Sequence, residues 1–266
     1  MITSTGFLAK NGCRIPIVRT LRSILGAALP LWFLSVGLGE EKGTVGPFTT
    51  RLPTTRLYVS SPREVEAEVF YKGVVPRHGR PAHFFQTEVE IGLPGRLQIG
   101  INEGLVHEPG DRLRHDEVVF ETRFAFAAWG RVPLNPAIFA EWHLRERDSD
   151  AYEFKLLLAE EIGGAWLWAF NATFEHEVSG GLESEVGFSQ ALLYSVIPSK
   201  LYLGAEMTLN RPIARGGHGK PEVELAIGPS IAWRLCEHAE LKVAPLIGVT
   251  SHAPQLEIAV LVGIDF

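Results

Sequence analysis

From residue 63 to the C-terminus, apolar and polar side chains alternate with a period of two, in runs of about ten residues broken by turn-forming residues. Successive strand side chains point to opposite faces, so this pattern predicts β-strands that are apolar on one face. Twelve runs can be delimited, at about 64–74, 83–93, 96–106, 116–129, 137–147, 151–162, 165–176, 182–195, 200–210, 221–235, 239–249 and 255–266. No segment of period 3.6 competes with them. The last run, QLEIAVLVGIDF, is the clearest: Ile258, Val260, Val262, Ile264 and Phe266 share one face, and Glu257, Ala259, Leu261, Gly263 and Asp265 share the other.

The connections alternate as well. Pro94-Gly95, Gly163-Gly164 and Ile197-Pro198-Ser199 are tight, whereas 107–115 and 211–220 are longer and polar; 130–136 is longer than this alternation wants. Apolar phases collect Val118, Phe120, Thr122, Phe124 and Phe126, then Trp166, Trp168, Phe170, Ala172 and Phe174, then Val223, Leu225, Ile227, Ile231 and Trp233. Alternation alone does not say which face is outside, but the aromatics do. Trp129, Trp166, Trp168, Tyr194, Trp233 and Phe266 fall at one level, and Phe85, Tyr152 and Phe174 at the other, as in the two interfacial girdles of a membrane barrel. A soluble β-sandwich or a lipocalin-like barrel gives no reason for that sorting. The expectation is an all-β, transmembrane antiparallel β-barrel of about 12 strands, with both termini on the periplasmic side.

A C-terminal strand that closes on a terminal Phe resembles the assembly signal of Gram-negative outer-membrane β-barrels. The resemblance implies that a barrel-assembly machinery reads Phe266, Ile264, Val262, Val260 and Ile258. The opposite end agrees. Residues 1–39 hold Lys10, Arg14, Arg19 and Arg22 and no acid, followed by the apolar run from Ile24 to Val36. This is the order of a secretory signal peptide, cleaved after Gly37 or Gly39, and the run is shorter than the roughly 20 residues that span a bilayer. Cys13 precedes it without a lipobox. The expected organisation is a signal peptide at 1–39, a periplasmic segment or partial plug at 40–62, and an outer-membrane barrel at 63–266.

Removing the four basic residues of 1–39 from the chain's 25 leaves 21 against 31 Asp and Glu. Such an acid excess argues against nucleic-acid binding. Only Cys236 remains beyond the leader, so an intramolecular disulfide is excluded. Outer-membrane lipid is the expected surrounding, and loop arginines such as Arg77, Arg80, Arg112, Arg114, Arg211 and Arg215 are expected to face lipopolysaccharide phosphate.

The hairpin QTEVEIGLPGRLQIGINEG, Gln86 to Gly104, resembles a motif of transporter-type barrels grouped with a phenol-degradation pathway. It supports the barrel class and names no solute. Inward phases yield the lumen-lining candidates Glu88, Glu90, Glu121, Arg123, Glu141, His143, Arg145, Glu222, Glu224, Arg234, Glu240 and Lys242, a wall that favours cations if wet and a filled interior if cross-paired. No histidine is followed two positions later by Ser, as in the His-x-Ser arrangement that outer-membrane phospholipases and lipid A deacylases share, so no catalytic group is expected; His78, His83, His107, His115 and His218 scatter over three expected external loops, so no metal site is expected, and no cofactor. The leading function is passage of a small molecule with a preference for cations; the alternatives are an outer-membrane enzyme acting on lipids and a closed structural or adhesion barrel. Pro229 and Pro245, each lacking a ladder donor, predict a bulge at similar height, with a lateral opening as the second reading.

Overall fold

A computed structural model describes residues 47–180, 183–213 and 223–266. The expected leader and Glu222 lie outside the described residues. The alternating runs form twelve strands: β1 (Val65–Val75), β2 (Ala82–Leu93), β3 (Leu97–His107), β4 (Arg114–Ala125), β5 (Ala137–Arg145), β6 (Ala151–Ile162), β7 (Trp166–Glu177), β8 (Ser184–Ile197), β9 (Leu201–Ile213), β10 (Glu224–Cys236), β11 (Ala239–Gly248) and β12 (Leu256–Asp265). Each pairs antiparallel with its sequence neighbours, and β1 pairs with β12, so the sheet closes with no free edge. The closing pair runs in register from Glu66 opposite Asp265 to Val75 opposite Leu256.

Every strand presents large apolar side chains to the outside, among them Val69, Val89, Ile101, Phe120, Ile138, Phe154, Trp166, Leu192, Leu203, Ile227, Ile247 and Val262. Water does not stabilise so continuous an apolar surface. Among the described residues no helix is long and apolar enough to cross a membrane, so any crossing falls to the strands.

Tight turns at 94–96, 163–165 and 198–200 lie at the end that also carries Phe266, and the glycine pair Gly163-Gly164, with φ of 61° and 69°, is the residue choice that a two-residue reversal demands. The run expected at 116–129 stops at Ala125, because the residues beyond it fold under the barrel. Asn135 holds that turn: it takes a left-handed φ of 40°, accepts the Gly130 amide at 2.5 Å and donates to the Ala159 carbonyl at 3.0 Å. Trp129 is therefore not a girdle residue. It is 9% exposed and meets the Tyr58 ring edge-on at 5.1 Å.

The prolines do not produce a bulge. Ile227 opposes Ile247 and Ile231 opposes Val243, so the register is unchanged on both sides and Pro229 stands directly opposite Pro245. The Val249 amide bonds to the Leu225 carbonyl, which makes every second pair from there a hydrogen-bonded one, and the proline pair falls at such a position. Two ladder bonds are thus missing at one point of the β10–β11 seam.

The lumen floor is apolar. Ala125, Ala137, Phe139, Leu157, Ala159, Leu167, Ala169, Ala191, Leu193 and Ala232 face inward near the short-turn end and pack around Phe48, Leu52, Leu57, Tyr58 and Val59, which precede β1. The alanines leave the volume that this segment fills. The chain reaches β1 past Gly92, whose amide bonds to the Glu64 carbonyl and whose carbonyl accepts the Arg63 amide; a Cβ there would lie 2.0 Å from the Ser61 carbonyl oxygen. At Gly100 the added Cβ would meet the flexible Glu121 side chain instead, at 2.7 Å from Cγ. Gly92→Ala is expected to lower stability by about 1–3 kcal/mol, the usual cost of overpacking against an unyielding neighbour, and Gly100→Ala by less. Denaturant midpoints of the two variants check that order.

Candidate functional site

The barrel wall carries one continuous row of acidic positions. Asp265 stands opposite Glu66, and the cross-strand pairs continue through Glu90, Gly100, Glu121, Glu141, Glu153 and Glu175 to Glu185. Only Gly100 interrupts it, and the space that glycine leaves is filled by the side chain of Glu121. The row climbs from the end of β12, at the short-turn rim, to the start of β8, at the long-loop rim. Like charges directly opposite one another repel across a sheet, so such a row needs cations or protons between its members.

Two of those cations come from the segment before β1. Residues 50–57 form a small hairpin in which the Leu52 amide bonds to the Thr55 carbonyl and the Leu57 amide to the Thr50 carbonyl, both at 2.8 Å. Its turn, Pro53-Thr54, sends Arg51 and Arg56 toward the acidic wall while Leu52 and Leu57 enter the apolar floor. Arg51 Nη1 donates to Glu68 at 2.7 Å and to Glu88 at 2.5 Å. Arg56 donates to Glu88 and Glu90 at 2.9 Å and to Glu121 at 3.2 Å. Arg123, from β4, reaches Glu90 at 2.8 Å and Glu121 at 3.3 Å, and is itself fully buried. Phe139 lies under Arg56 and Arg123, with ring-centre distances of 5.3 and 5.0 Å, and adds a cation–π contact to both.

Wall side chains also pin the segment's backbone from several sides. Asn171 accepts the Arg56 amide at 2.8 Å and donates to its carbonyl at 2.7 Å; Glu206 accepts the Thr54 amide at 2.8 Å; Gln98 accepts the Ser60 amide at 2.7 Å; Arg123 donates to the Tyr58 carbonyl at 2.8 Å. Arg234 donates to the Phe48 carbonyl and covers the Phe48 ring, which meets the Tyr202 ring at a tilt of 30° with centres 4.2 Å apart. The segment is a strap across the lumen.

On the long-loop side of the strap lies a cavity of about 380 Å³, with Asn171, Thr173, Ser189, Thr208 and Asn210 on one wall and Glu141, His143, Glu153 and Lys155 on another. On the short-turn side a smaller space, about 160 Å³, is bounded by Phe48, Glu66, Arg234, Glu240 and Asp265. Among the described residues, two groups bring donor atoms within 4.8 Å of one another: Glu88, Glu90 and Glu121, which the arginines already neutralise, and Glu141, His143 and Glu153.

Of the lumen candidates read from the sequence, Glu88, Glu90, Glu121 and Arg123 form the strap's receptor; Glu141 and His143 line the larger cavity, with Glu224; Arg145 pairs with Glu175 at 2.5 Å; Arg234, Glu240 and Lys242 form a cluster at the short-turn end. The interior is not polar throughout, since its floor is the apolar cluster. Arg51 and Arg56 are the residues the sequence reading missed. Their signal was present: from Lys42 to Arg63 the chain carries four basic residues and no acid, next to a barrel whose inner face is rich in glutamate. Among the loop arginines, Arg77 is spent on the carbonyls of Gly248, Thr250 and Ala253, and Arg114 on Glu108 and Asp116.

No family model and no curated protein matches the sequence. Among solved structures, the fold is similar to an outer-membrane channel from Pseudomonas putida F1, with TM-score 0.53, 10% identity, and coverage of 79% of this chain and 97% of that one. The NanC porin gives TM-score 0.51 at 10% identity over 76% of this chain and 98% of that chain. The KdgM porin, solved with disordered oligogalacturonate, gives TM-score 0.51 at 8% identity over 76% of this chain and 99% of that chain.

Arg51→Gln combined with Arg56→Gln leaves Glu68, Glu88, Glu90 and Glu121 without their strap partners. Breaking a buried pair from one side costs about 3–5 kcal/mol, a loss the strap alone does not survive. Limited proteolysis of the folded barrel is expected to cut within residues 47–61 of this variant and to spare the unaltered chain.

Proposed function

We propose that the protein is an outer-membrane barrel that passes small polar solutes, with a preference for cations, and that the strap sets its conducting state. The reading includes export by a cleaved signal peptide, periplasmic termini, and insertion by an assembly machinery that reads the strand ending at Phe266. The observation that carries it is the inverted barrel: apolar side chains cover the outside, while a polar cavity inside is closed from one end by a segment held through ion pairs and side-chain hydrogen bonds. The likeness in fold to outer-membrane channels and porins supports the class.

The preference for cations follows from the cavity lining. Arg51 and Arg56 are committed to the glutamates beneath them, so the remaining charged groups are Glu141, Glu153, Glu185, Glu224 and Glu257 against Lys72 and Lys155. A negative wall in a confined aqueous space concentrates cations, and salt screens it over about 10 Å at 0.1 M. The enzyme alternative has one contact behind it, His176 Nδ1 with Ser184 Oγ at 2.8 Å across β7 and β8. Grouped with Phe174 and Tyr152, that histidine fits an interfacial aromatic group better than a general base.

In a planar bilayer the purified chain is expected to show a small conductance with cation preference at 0.1 M salt and a weaker preference at 1 M. Arg51→Gln with Arg56→Gln is expected to raise the conductance severalfold. Anion selectivity in both proteins would reject the lumen argument, and absence of conductance in both would favour a closed barrel. A second expectation concerns the outer face: Ile227→Arg lowers the stability of the bilayer-inserted barrel by about 2–4 kcal/mol, whereas Glu224→Gln on the inner face is far milder, as unfolding in lipid vesicles would report.

A further inference from the structure

We infer that the lumen holds a site for a divalent transition metal formed by Glu141 and His143 of β5 and Glu153 of β6. Glu141 and Glu153 stand directly opposite each other, and His143 lies two positions along on the same inner face. One donor atom from each falls within 4.8 Å of the others, a triangle that a single ion closes by small side-chain movements.

The histidine provides the second, independent observation. Its Nδ1 is 2.9 Å from Glu117 Oε2, so a carboxylate outside the triangle orients the ring, as in the carboxylate–histidine–metal arrangement that fixes the tautomer with a free lone pair on the other nitrogen. That other nitrogen, Nε2, is buried and has no hydrogen-bond partner among the described residues. A buried polar atom without a partner costs free energy, and an ion between the two carboxylates supplies one. The donors line the larger cavity, so an ion can reach them from the lumen; the site therefore rests on the lumen being wet, as the channel reading requires.

Lys155 is the resident cation. Its ammonium is 3.0 Å from Glu141, contacts Glu153, and lies over the Phe139 ring. A metal displaces it on its flexible stem, and this competition weakens binding. One imidazole with two carboxylates suits Zn²⁺, Co²⁺ or Mn²⁺ and disfavours Mg²⁺, which prefers all-oxygen octahedra and keeps its water.

The test uses the purified full chain, folded in detergent micelles, titrated with Co²⁺ and read by visible absorption, with Zn²⁺ as competitor. One equivalent of Co²⁺ is expected to bind, to be displaced by Zn²⁺ and to be retained in excess Mg²⁺. His143→Ala is expected to weaken binding at least tenfold, Glu117→Gln by about 10–100-fold as an outer partner of the ligating ring, and Lys155→Met to strengthen it. His143→Ala binding as well as the unaltered chain would overturn the assignment, as would displacement by equimolar Mg²⁺. So would a folded barrel in which neither the unaltered chain nor Lys155→Met takes up Co²⁺. Because the readout needs no passage of solute, a chain that binds the metal while neither it nor its Arg51→Gln, Arg56→Gln variant conducts rejects the channel reading and leaves the site standing.

Discussion

A buried cluster of carboxylates needs cations or hydrogen-bond donors beside it, and around Glu68, Glu88, Glu90 and Glu121 the barrel wall does not supply enough. Glu68, Glu88, Glu90 and Glu121 are each no more than 5% exposed, and Arg123 is the only wall cation that reaches any of them among the ion pairs of the described residues. Ionised groups held so far from water without partners would cost several kcal/mol each. Arg51 and Arg56 meet that demand from outside the sheet. The acidic wall and the basic strap are therefore one structural element divided between two stretches of chain, and the small wall residues below them exist to admit the strap's apolar side.

That division gives the lumen two halves with different physics. Toward the short turns, alanines and leucines enclose Leu52, Leu57 and Tyr58, and dispersion and burial hold the contact. Toward the long loops, amides, hydroxyls and carboxylates face the cavity of about 380 Å³. The strap bridges them because its side chains alternate as a strand's do. The energetics also couple the strap to ions: when Arg51 and Arg56 leave, the glutamates need other cations, so conditions that supply cations to the wall weaken its hold on the strap, and by linkage a displaced strap raises the wall's affinity for cations.

Fold and register were legible in the chain because a period of two is a strong signal when each run has one apolar face. Strand ends were placed to within a few residues, and the inner and outer faces were assigned correctly at Phe120, Glu121, Ile227 and Ser230. What failed did so where tertiary contact outweighs local pattern. The position of Trp129 along the run suggests a girdle, but it has the inward parity of Glu121 and Arg123 and belongs to a turn that Asn135 folds under the barrel. Pro229 and Pro245 each signal a lost donor, but only the pairing register shows that both losses fall on one pair. The apolar floor was read as part of a polar lumen, since alternation ranks an inward alanine beside an inward glutamate without saying what fills the space. The strap's arginines sit in a segment too short for its alternation to register as a strand signal, and only their charge, set against the wall, pointed inward.

The central claim, that residues 47–61 close the lumen through the arginine–glutamate contacts, is tested most directly by hydrogen exchange of the Arg56 amide in the intact folded barrel. Bound to the Asn171 side chain and shielded by the wall, that amide is expected to exchange as slowly as those of β2 and β4. Exchange at the rate of an unstructured peptide, with the strands still protected, would contradict the account.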